Sequence, residues 1–187
     1  MKIVLATMED FDGILALHRT YHTNYISDED RPNGFVTTNF TDEQLETLII
    51  KEKGVMLAKD DDGNIVGYAT AASWDYWAQW PLFTYMIEHL EEYSLNGQTI
   101  TKDNSYQYGP VCVHTSVRGT GVFEAMFKAS LTSMKERYPI MATFINQINP
   151  RSYAAHTRKV HMTETGKFDF NNNHYYLMAC STDMEQQ

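Results

Sequence analysis

The sequence predicts an α/β fold with a mixed sheet, because segments with strand periodicity alternate along the chain with segments with helix periodicity. Two regions also indicate β-hairpins, since turn-forming residues at 60–64 and at 171–173 each separate two strand-like runs. No internal repeat and no interdomain linker interrupts the 187 residues. We therefore predict one domain over residues 1–187.

The first part of the chain contains two well-marked helix starts. A strand over residues 2–6 precedes Thr7, which together with Asp10 has the spacing of a capping box, and Thr41 with Gln44 repeats this pattern. Helical spacing then predicts the buried residues of each helix. For the first helix these are Phe11, Ile14, Leu15, His18, Tyr21 and Tyr25, and for the second they are Leu45, Leu48 and Ile49.

The middle of the chain is rich in aromatic residues. Strands over 55–59 and 65–72 form the first hairpin, and Pro81 then begins a helix in the segment that follows. This segment is longer than a simple connection requires, so we expect a helical insertion at about 74–104. Its aromatic residues either complete the core or line a pocket or dimer contact. The second interpretation is favoured for the tryptophans, which are Trp74, Trp77 and Trp80.

The most specific local pattern is a strand over 106–114 that passes through a glycine turn into an amphipathic helix. The turn contains Arg118, Gly119 and Gly121, and the helix begins at Val122. Backbone N–H groups and the positive end of a helix dipole meet at such a turn, which favours an anion such as a phosphate. The spacing differs from that of a P-loop and of a dinucleotide-binding fingerprint. An ordinary tight connection is the alternative.

A second pattern lies in the last third of the chain. A strand over 140–148 leads into a short helix that Pro150 begins, and a closing hairpin follows. Asn149, Ser152 and His156 have the spacing that places residues on one face of such a helix.

In element order and in both patterns, the chain resembles the GNAT superfamily of acyl-CoA N-acyltransferases over nearly its whole length. The turn is similar to the family motif Gln/Arg-x-x-Gly-x-Gly/Ala at Arg118 and Gly121, and it departs from it at Phe123. Residues 149–156 are similar to the family signature Asn-x-x-Ala/Ser-x-x-x-Tyr/His. The resemblance implies a mostly antiparallel sheet with flanking helices and a splayed central strand pair. It also implies an acetyl-CoA-dependent N-acetyltransferase that transfers the acetyl group directly to an amine.

The resemblance implies acetyl-CoA as the co-substrate, without a metal. The implied cofactor-binding residues are Val111, Cys112, Val113, Arg118, Gly119, Thr120, Gly121, Val122, Phe123, Asn149, Ser152 and His156. Many relatives have tyrosine at the position of His156, so this residue either protonates the leaving thiolate or only contacts the cofactor, and contact is favoured. Asp75, Glu29 and His114 are candidates for the general base. Asp75 would need burial to act as one, and a surface-paired aspartate is the default interpretation. For His114, at the end of a strand, a solvated or capping histidine is favoured over a base. A dedicated base is not required if the amine arrives deprotonated.

Composition narrows the classes of function. The net charge of -9 argues against a general nucleic-acid-binding protein, which needs a basic face. Apolar stretches are too short to span a membrane and the first residues lack a signal-peptide pattern, so the sequence favours the cytoplasm and no membrane partner. Both cysteines, Cys112 and Cys180, stand in apolar runs, where buried free thiols are expected.

The acceptor is expected to be an amine of a small molecule or a peptide. The acidic charge and the aromatic residues around Asp75 favour a small cationic amine. A homodimer and a longer acyl donor are alternatives that the sequence leaves open. The alternative function is a non-catalytic acyl-CoA-binding or sensory module.

Overall fold

The computed structural model describes residues 1–29, 31 and 34–183. The strands are β1 (Lys2–Leu5), β2 (Val55–Lys59), β3 (Ile65–Ala72), β4 (Ser94–Leu95), β5 (Gln98–Thr99), β6 (Ser105–Val113), β7 (Ile140–Asn146), β8 (Thr163–Phe170) and β9 (Asn173–Ser181). The helices are α1 (Phe11–Tyr21), α2 (Asp42–Ile50), α3 (Trp74–Trp77), α4 (Pro81–His89), α5 (Val122–Met134) and α6 (Pro150–Ala154). Strands and helices alternate, so the α/β prediction is confirmed.

Seven of the strands form one mixed sheet in the order β1-β2-β3-β6-β7-β9-β8. The pairs β1–β2, β2–β3, β7–β9 and β8–β9 are antiparallel, whereas β6 and β7 are parallel. Parallel pairing covers Ser105 to Gln107, although β6 continues to Val113. This early end of the pairing agrees with the expected splayed central pair, and the mostly antiparallel sheet is confirmed.

The chain divides into two compact units, each built from two segments. The first unit contains residues 1–71 and 109–130, and the second contains residues 72–108 and 131–187. The segment expected as an insertion, about 74–104, lies in the second unit. One domain with an insertion stays a prediction.

In the first unit, local side-chain chemistry fixes the helix starts. The N–H of Thr7 donates to the Asp10 carboxylate at 3.0 Å, and the N–H of Thr41 donates to Gln44 Oε1 at 2.8 Å. Both predicted capping boxes are therefore present. Tyr25 was expected on the buried face of α1, and this is wrong, because α1 ends at Tyr21 and Tyr25 is 71% exposed.

In the second unit, the aromatic segment forms a core. Trp74 and Trp77 are fully buried, and the ring of Trp77 stacks on Phe83 with 4.7 Å between centroids. The indole N–H of Trp74 donates to Ser105 Oγ at 2.9 Å. The expectation that these two tryptophans line a pocket or dimer contact is therefore wrong, because both complete the interior. Trp80 is half-buried beside Trp77.

A short hairpin in the same unit was not anticipated. Strands β4 and β5 flank a turn in which Asn96 and Gly97 both have positive φ, of 51° and 82°. An Asn-Gly pair is a strong hairpin signal, and here the flanking strands have only two residues each. Strands of that length leave too little alternating pattern for recognition in the sequence.

Candidate functional site

The predicted glycine turn connects β6 to α5 in the first unit. A short 3-10 turn, Thr115–Val117, follows β6, and His114 Nδ1 caps it by accepting a hydrogen bond from the N–H of Ser116 at 3.2 Å. Residues 118–121 then lead into α5. His114 thus has the capping role that sequence chemistry had set against a general-base role.

Both glycines of the turn have backbone conformations that other residues rarely adopt. The φ angles of Gly119 and Gly121 are 80° and 86°, in the left-handed region that glycine tolerates without steric cost. Both residues are exposed, and a Cβ added to either would meet no heavy atom within 4 Å. The backbone here faces open space at the start of a helix. A phosphate group needs such open space to approach backbone N–H groups at a helix start.

The other residues of the turn contribute backbone more than side chains. Val122 is only 3% exposed, so its side chain belongs to the core and only its N–H is suited to meet an anion. The hydroxyl of Thr120 donates to the Val117 carbonyl at 2.7 Å. Phe123, where the family motif has a small residue, is half-buried with its ring 6.4 Å from that of Phe127. The bulky side chain therefore packs along α5.

Arg118 is held against the turn by two neighbours. Its Nε–H donates to the Val113 carbonyl at 3.0 Å, and its guanidinium lies 5.2 Å from the ring centroid of Tyr21. From its helical spacing, Tyr21 was expected only to lie on the buried face of α1. The contact joins residues far apart in the chain, so no local pattern could have identified it.

The remaining candidate cofactor-binding residues of the first unit lie on β6, where buried and half-buried residues alternate. Cys112 is 4% exposed, whereas Val111 and Val113 are half-buried. Burial raises the pKa of the Cys112 thiol to about 12, and it raises that of Cys180 to about 12 as well. Both are therefore neutral thiols near pH 7, and neither is a nucleophile for a covalent intermediate.

The second predicted pattern lies in the second unit, where Asn149 caps α6. Its Oδ1 accepts a hydrogen bond from the N–H of Ser152 at 3.0 Å, and Pro150 occupies the first helical position. The α-helix extends only to Ala154 and continues as a π-helical turn, Ala155–Lys159. The resemblance assigned Asn149 to the cofactor, and the structure shows its side-chain oxygen engaged as the cap of α6.

His156 follows on the π-helical turn and is 6% exposed. Its Nδ1 lies 2.8 Å from the Ser152 carbonyl and 3.4 Å from the Ser152 Oγ, and its ring packs edge-on against Tyr108. Burial lowers the pKa of His156 below its usual value. A neutral ring whose Nδ1–H donates to a carbonyl has its lone pair on Nε2, so it is poorly suited to protonate a thiolate there. The geometry favours a contact role over the general-acid hypothesis.

None of the three candidates for a general base is buried. Asp75 is exposed on α3, with 81% of its side chain accessible and its carboxylate 3.5 Å from Lys102 Nζ. The burial that its role as a base required is absent, and the alternative of a surface-paired aspartate is correct. Glu29 is also exposed. The structure therefore gives none of the candidate bases a buried position from which to act.

Clusters of metal-ion ligands and membrane-spanning helices are both absent from the part of the chain that the structure describes. Among its residues, no group of three or more histidine, cysteine, aspartate or glutamate side chains is arranged to hold a metal ion. In the same part of the chain, no helix is both long enough and apolar enough to cross a membrane.

Comparison with known proteins identifies the fold. The sequence matches no protein-family model and no curated protein. The structure is similar to a GNAT-family acetyltransferase from Listeria monocytogenes 4b F2365, at 15% identity and a TM-score of 0.64, with 96% of this chain and 94% of that chain covered. It is also similar to a ribosomal-protein-alanine N-acetyltransferase from Brucella melitensis, at 18% identity and a TM-score of 0.63, with 97% and 99% covered.

A third solved structure, yncA from Salmonella typhimurium, contains its cofactor acetyl-CoA. It is 14% identical with a TM-score of 0.61, and the match covers 98% of this chain and 94% of that chain. In each comparison the match spans nearly the whole length of both chains. The chain therefore has the fold of the GNAT superfamily of acetyltransferases, as the sequence motifs implied.

Proposed function

We propose that this protein is an acetyl-CoA-dependent N-acetyltransferase that acts in the cytoplasm. The observation that carries the proposal is the open glycine turn at the start of α5, in a chain with the fold of acetyltransferases. By the sequence resemblance, the turn corresponds to the family's pyrophosphate motif. Its exposed glycines leave the space that a phosphate needs close to backbone N–H groups.

Coenzyme A would be bound chiefly by backbone groups. We assign the pyrophosphate to the N–H groups of Gly119 to Phe123, with Arg118 as the charged neighbour. Within this stretch the N–H of Thr120 already donates to the Val117 carbonyl at 3.4 Å, so the assignment depends on the other four N–H groups. Burial of the Val122 side chain supports this assignment, because the side chain is already committed to the core. We assign contacts with the remainder of the cofactor to Val111, Cys112 and Val113. For Asn149, Ser152 and His156, which lie in the second unit, the resemblance alone implies a cofactor contact.

The acetyl group would pass directly from the thioester to the amine. Backbone N–H groups near Cys112 and Val113 are suited to polarise the thioester carbonyl. A covalent acetyl-cysteine intermediate is disfavoured because burial keeps the Cys112 thiol protonated near pH 7. The amine therefore has to arrive neutral, either through a base yet to be identified or by losing its proton to water.

We propose a small cationic amine as the acceptor, with a peptide amine as the alternative. The net charge of -9 raises the local concentration of cations near the surface. Asp75 is an exposed carboxylate in the same segment of the chain as the half-buried Trp80, and aromatic faces also attract ammonium groups. An acceptor that is neutral or anionic would contradict this assignment.

A non-catalytic acyl-CoA-binding module is the second candidate function. The specific observation in its favour is that none of the candidate bases is buried, whether Asp75, Glu29 or His114. Both candidate functions predict that the protein binds coenzyme A, but only the enzyme predicts turnover.

The decisive experiment measures thiol release from acetyl-CoA across a panel of amines. A thermal shift with coenzyme A is run alongside, because a ligand at about a hundredfold its dissociation constant adds about 2.7 kcal/mol to stability. Binding together with amine-dependent thiol release would support the enzyme. Binding without release from any amine would favour the module, and the absence of both would overturn both candidates.

A further inference from the structure

The side chain of Tyr21, at the end of α1, contacts the segment that leads into the glycine turn. Its hydroxyl accepts a hydrogen bond from the N–H of Thr115 at 2.9 Å and lies 3.4 Å from Thr115 Oγ1. Its ring lies beside the guanidinium of Arg118, 5.2 Å from carbon to ring centroid. Tyr21 is 5% exposed, so its own side chain is largely shielded from water, whereas Thr115 is exposed and Arg118 is half-buried.

These contacts restrict Arg118 from two sides. The Nε–H donates to the Val113 carbonyl at 3.0 Å while the aromatic ring lies against the cation. The guanidinium is planar and carries five N–H donors in fixed directions. Because the ring and the carbonyl fix that plane, they also fix where the other donors point.

Tyr21 is itself anchored by the loop that follows α1. The N–H of Val36 donates to the Tyr21 carbonyl at 3.0 Å, and the N–H of Thr23 donates to the Val36 carbonyl at 2.9 Å. These bonds form a short parallel bridge between His22 and Val36. The tyrosine is therefore held by its backbone on one side and holds the turn with its side chain on the other.

We infer that Tyr21 is a positioning residue for coenzyme A. Its hydroxyl orders the backbone of Thr115–Val117, and its ring orients Arg118, so the glycine turn is preorganised before the pyrophosphate binds. The inference rests on the proposed function, because it assigns the contact to cofactor affinity. It adds α1, a helix without a recognised motif, to the elements that determine that affinity.

Two substitutions separate the two contacts. Tyr21→Phe removes the hydroxyl and keeps the ring, and we expect the dissociation constant of coenzyme A to rise about 3- to 10-fold, as for a lost hydrogen bond. Tyr21→Leu also removes the ring and should weaken binding further. Titration calorimetry with coenzyme A measures both. Tyr93→Phe is the matched control, because that hydroxyl donates to the Lys167 carbonyl at 3.3 Å in the second unit and should not affect affinity.

Two additional readouts distinguish positioning from general stabilisation. Hydrogen exchange at the Thr115 amide should become faster in Tyr21→Phe, because this N–H loses its acceptor. In a double-mutant cycle, Tyr21→Leu should weaken binding less in an Arg118→Gln background if the ring acts through the guanidinium.

Unchanged coenzyme A affinity in a folded Tyr21→Phe protein, with only a lower melting temperature, would overturn the inference. Strictly additive losses in the cycle would overturn the role of the ring. A wild-type protein that does not bind coenzyme A would overturn the proposed function and this inference with it. Wild-type binding together with unaffected Tyr21 variants would overturn the inference alone.

Discussion

The two helices that carry the motifs begin in opposite ways. Before α5 stands Gly121, which is exposed, has a φ of 86° and offers no side chain as a cap. Before α6 stands Asn149, whose side chain accepts a hydrogen bond from the N–H of Ser152 at 3.0 Å. The first helix start faces open space, and the second satisfies one of its own N–H groups.

On the proposed function, this difference separates an expected site for an external anion from a helix start that satisfies its own N–H group. Every helix start leaves N–H groups without partners inside the helix, and a capping side chain or a ligand supplies acceptors for them. The start of α5 is suited to the ligand, and the start of α6 is suited to the cap. Asn149 then orders Ser152, whose carbonyl lies 2.8 Å from the ring of His156. The hydrogen bonds of Asn149 and Ser152 therefore order the start of α6 and the ring of His156.

The largest expected effect is at the open helix start. Gly121→Val places a branched side chain where the phosphates approach and strains a residue with positive φ, so coenzyme A affinity should fall at least about 100-fold. Calorimetric titration measures the loss. Gly63→Val is the matched control, since Gly63 has a φ of 87° with no heavy atom within 4 Å of an added Cβ. The control should lose comparable stability and keep its affinity, and equal affinity in the two variants would remove the anion site.

The capped helix start should respond in stability as well as in binding. Asn149→Ala removes the cap and should cost about 1 kcal/mol of unfolding free energy, with a loss of coenzyme A affinity of about 10-fold. Asn149→Asp retains a capping oxygen and loses the amide donor. Chemical denaturation and cofactor titration of both variants separate the two roles. If Asn149→Asp restores stability and affinity together, Asn149 acts only as a cap.

Substitution of His156 tests whether this residue takes part in the reaction or only contacts the cofactor. A contact role predicts that His156→Phe weakens coenzyme A binding and lowers turnover to a similar extent, of about 5-fold each, as expected for one hydrogen bond. Steady-state kinetics at saturating acetyl-CoA, with binding measured separately, provide the comparison. A fall in turnover of 100-fold or more at unchanged affinity would instead restore the general-acid hypothesis.

The same residue predicts a loss of stability in acid. Burial lowers the pKa of His156 and lowers that of His18 to about 4, so both are neutral in the folded state at pH values where the unfolded chain binds protons. Stability should therefore be complete above about pH 6.5 and should decline as the pH falls towards the folded pKa values. Denaturation at several pH values should show a shallower decline for His156→Phe. An identical slope would show that His156 does not contribute.

The smallest expected effect concerns the acceptor. If the exposed carboxylate of Asp75 attracts a cationic amine, Asp75→Asn should raise the KM of that amine about 2-fold at low ionic strength, with little change in turnover. Asp103→Asn is the matched control, because both aspartates lie near Lys102, at 3.5 and 3.4 Å. Equal effects of the two substitutions would indicate a general surface field without a specific role for Asp75.

Local chemistry in the sequence predicted most of the fold. The capping boxes at Thr7 and Thr41 and the glycine turn before α5 depend on residues a few positions apart, so their pattern is visible in the chain. The contact of Tyr21 with Thr115 joins residues 94 positions apart and has no local signature. The tryptophans show a second limit of prediction from sequence. Composition cannot distinguish an aromatic core from an aromatic pocket, and only packing shows that Trp77 is interior.

The family resemblance supplied the candidate site but not the use of each side chain. It assigned Asn149 to a cofactor contact, whereas the structure shows its oxygen engaged as a cap. A motif records which residue stands at a position, and the hydrogen bonds around that position decide which of its atoms are engaged. For that reason the Asn149→Asp and Asn149→Ala pair is more informative than either substitution alone.

The two buried thiols make this protein convenient for a colorimetric assay. Aromatic disulfide reagents react with thiolates, and Cys112 and Cys180 are each 4% exposed with pKa values raised to about 12. The folded protein should therefore give almost no background colour, and the signal should come from coenzyme A released in turnover. Unfolding would expose both cysteines, so the same reagent would also report the fraction of denatured protein in each variant.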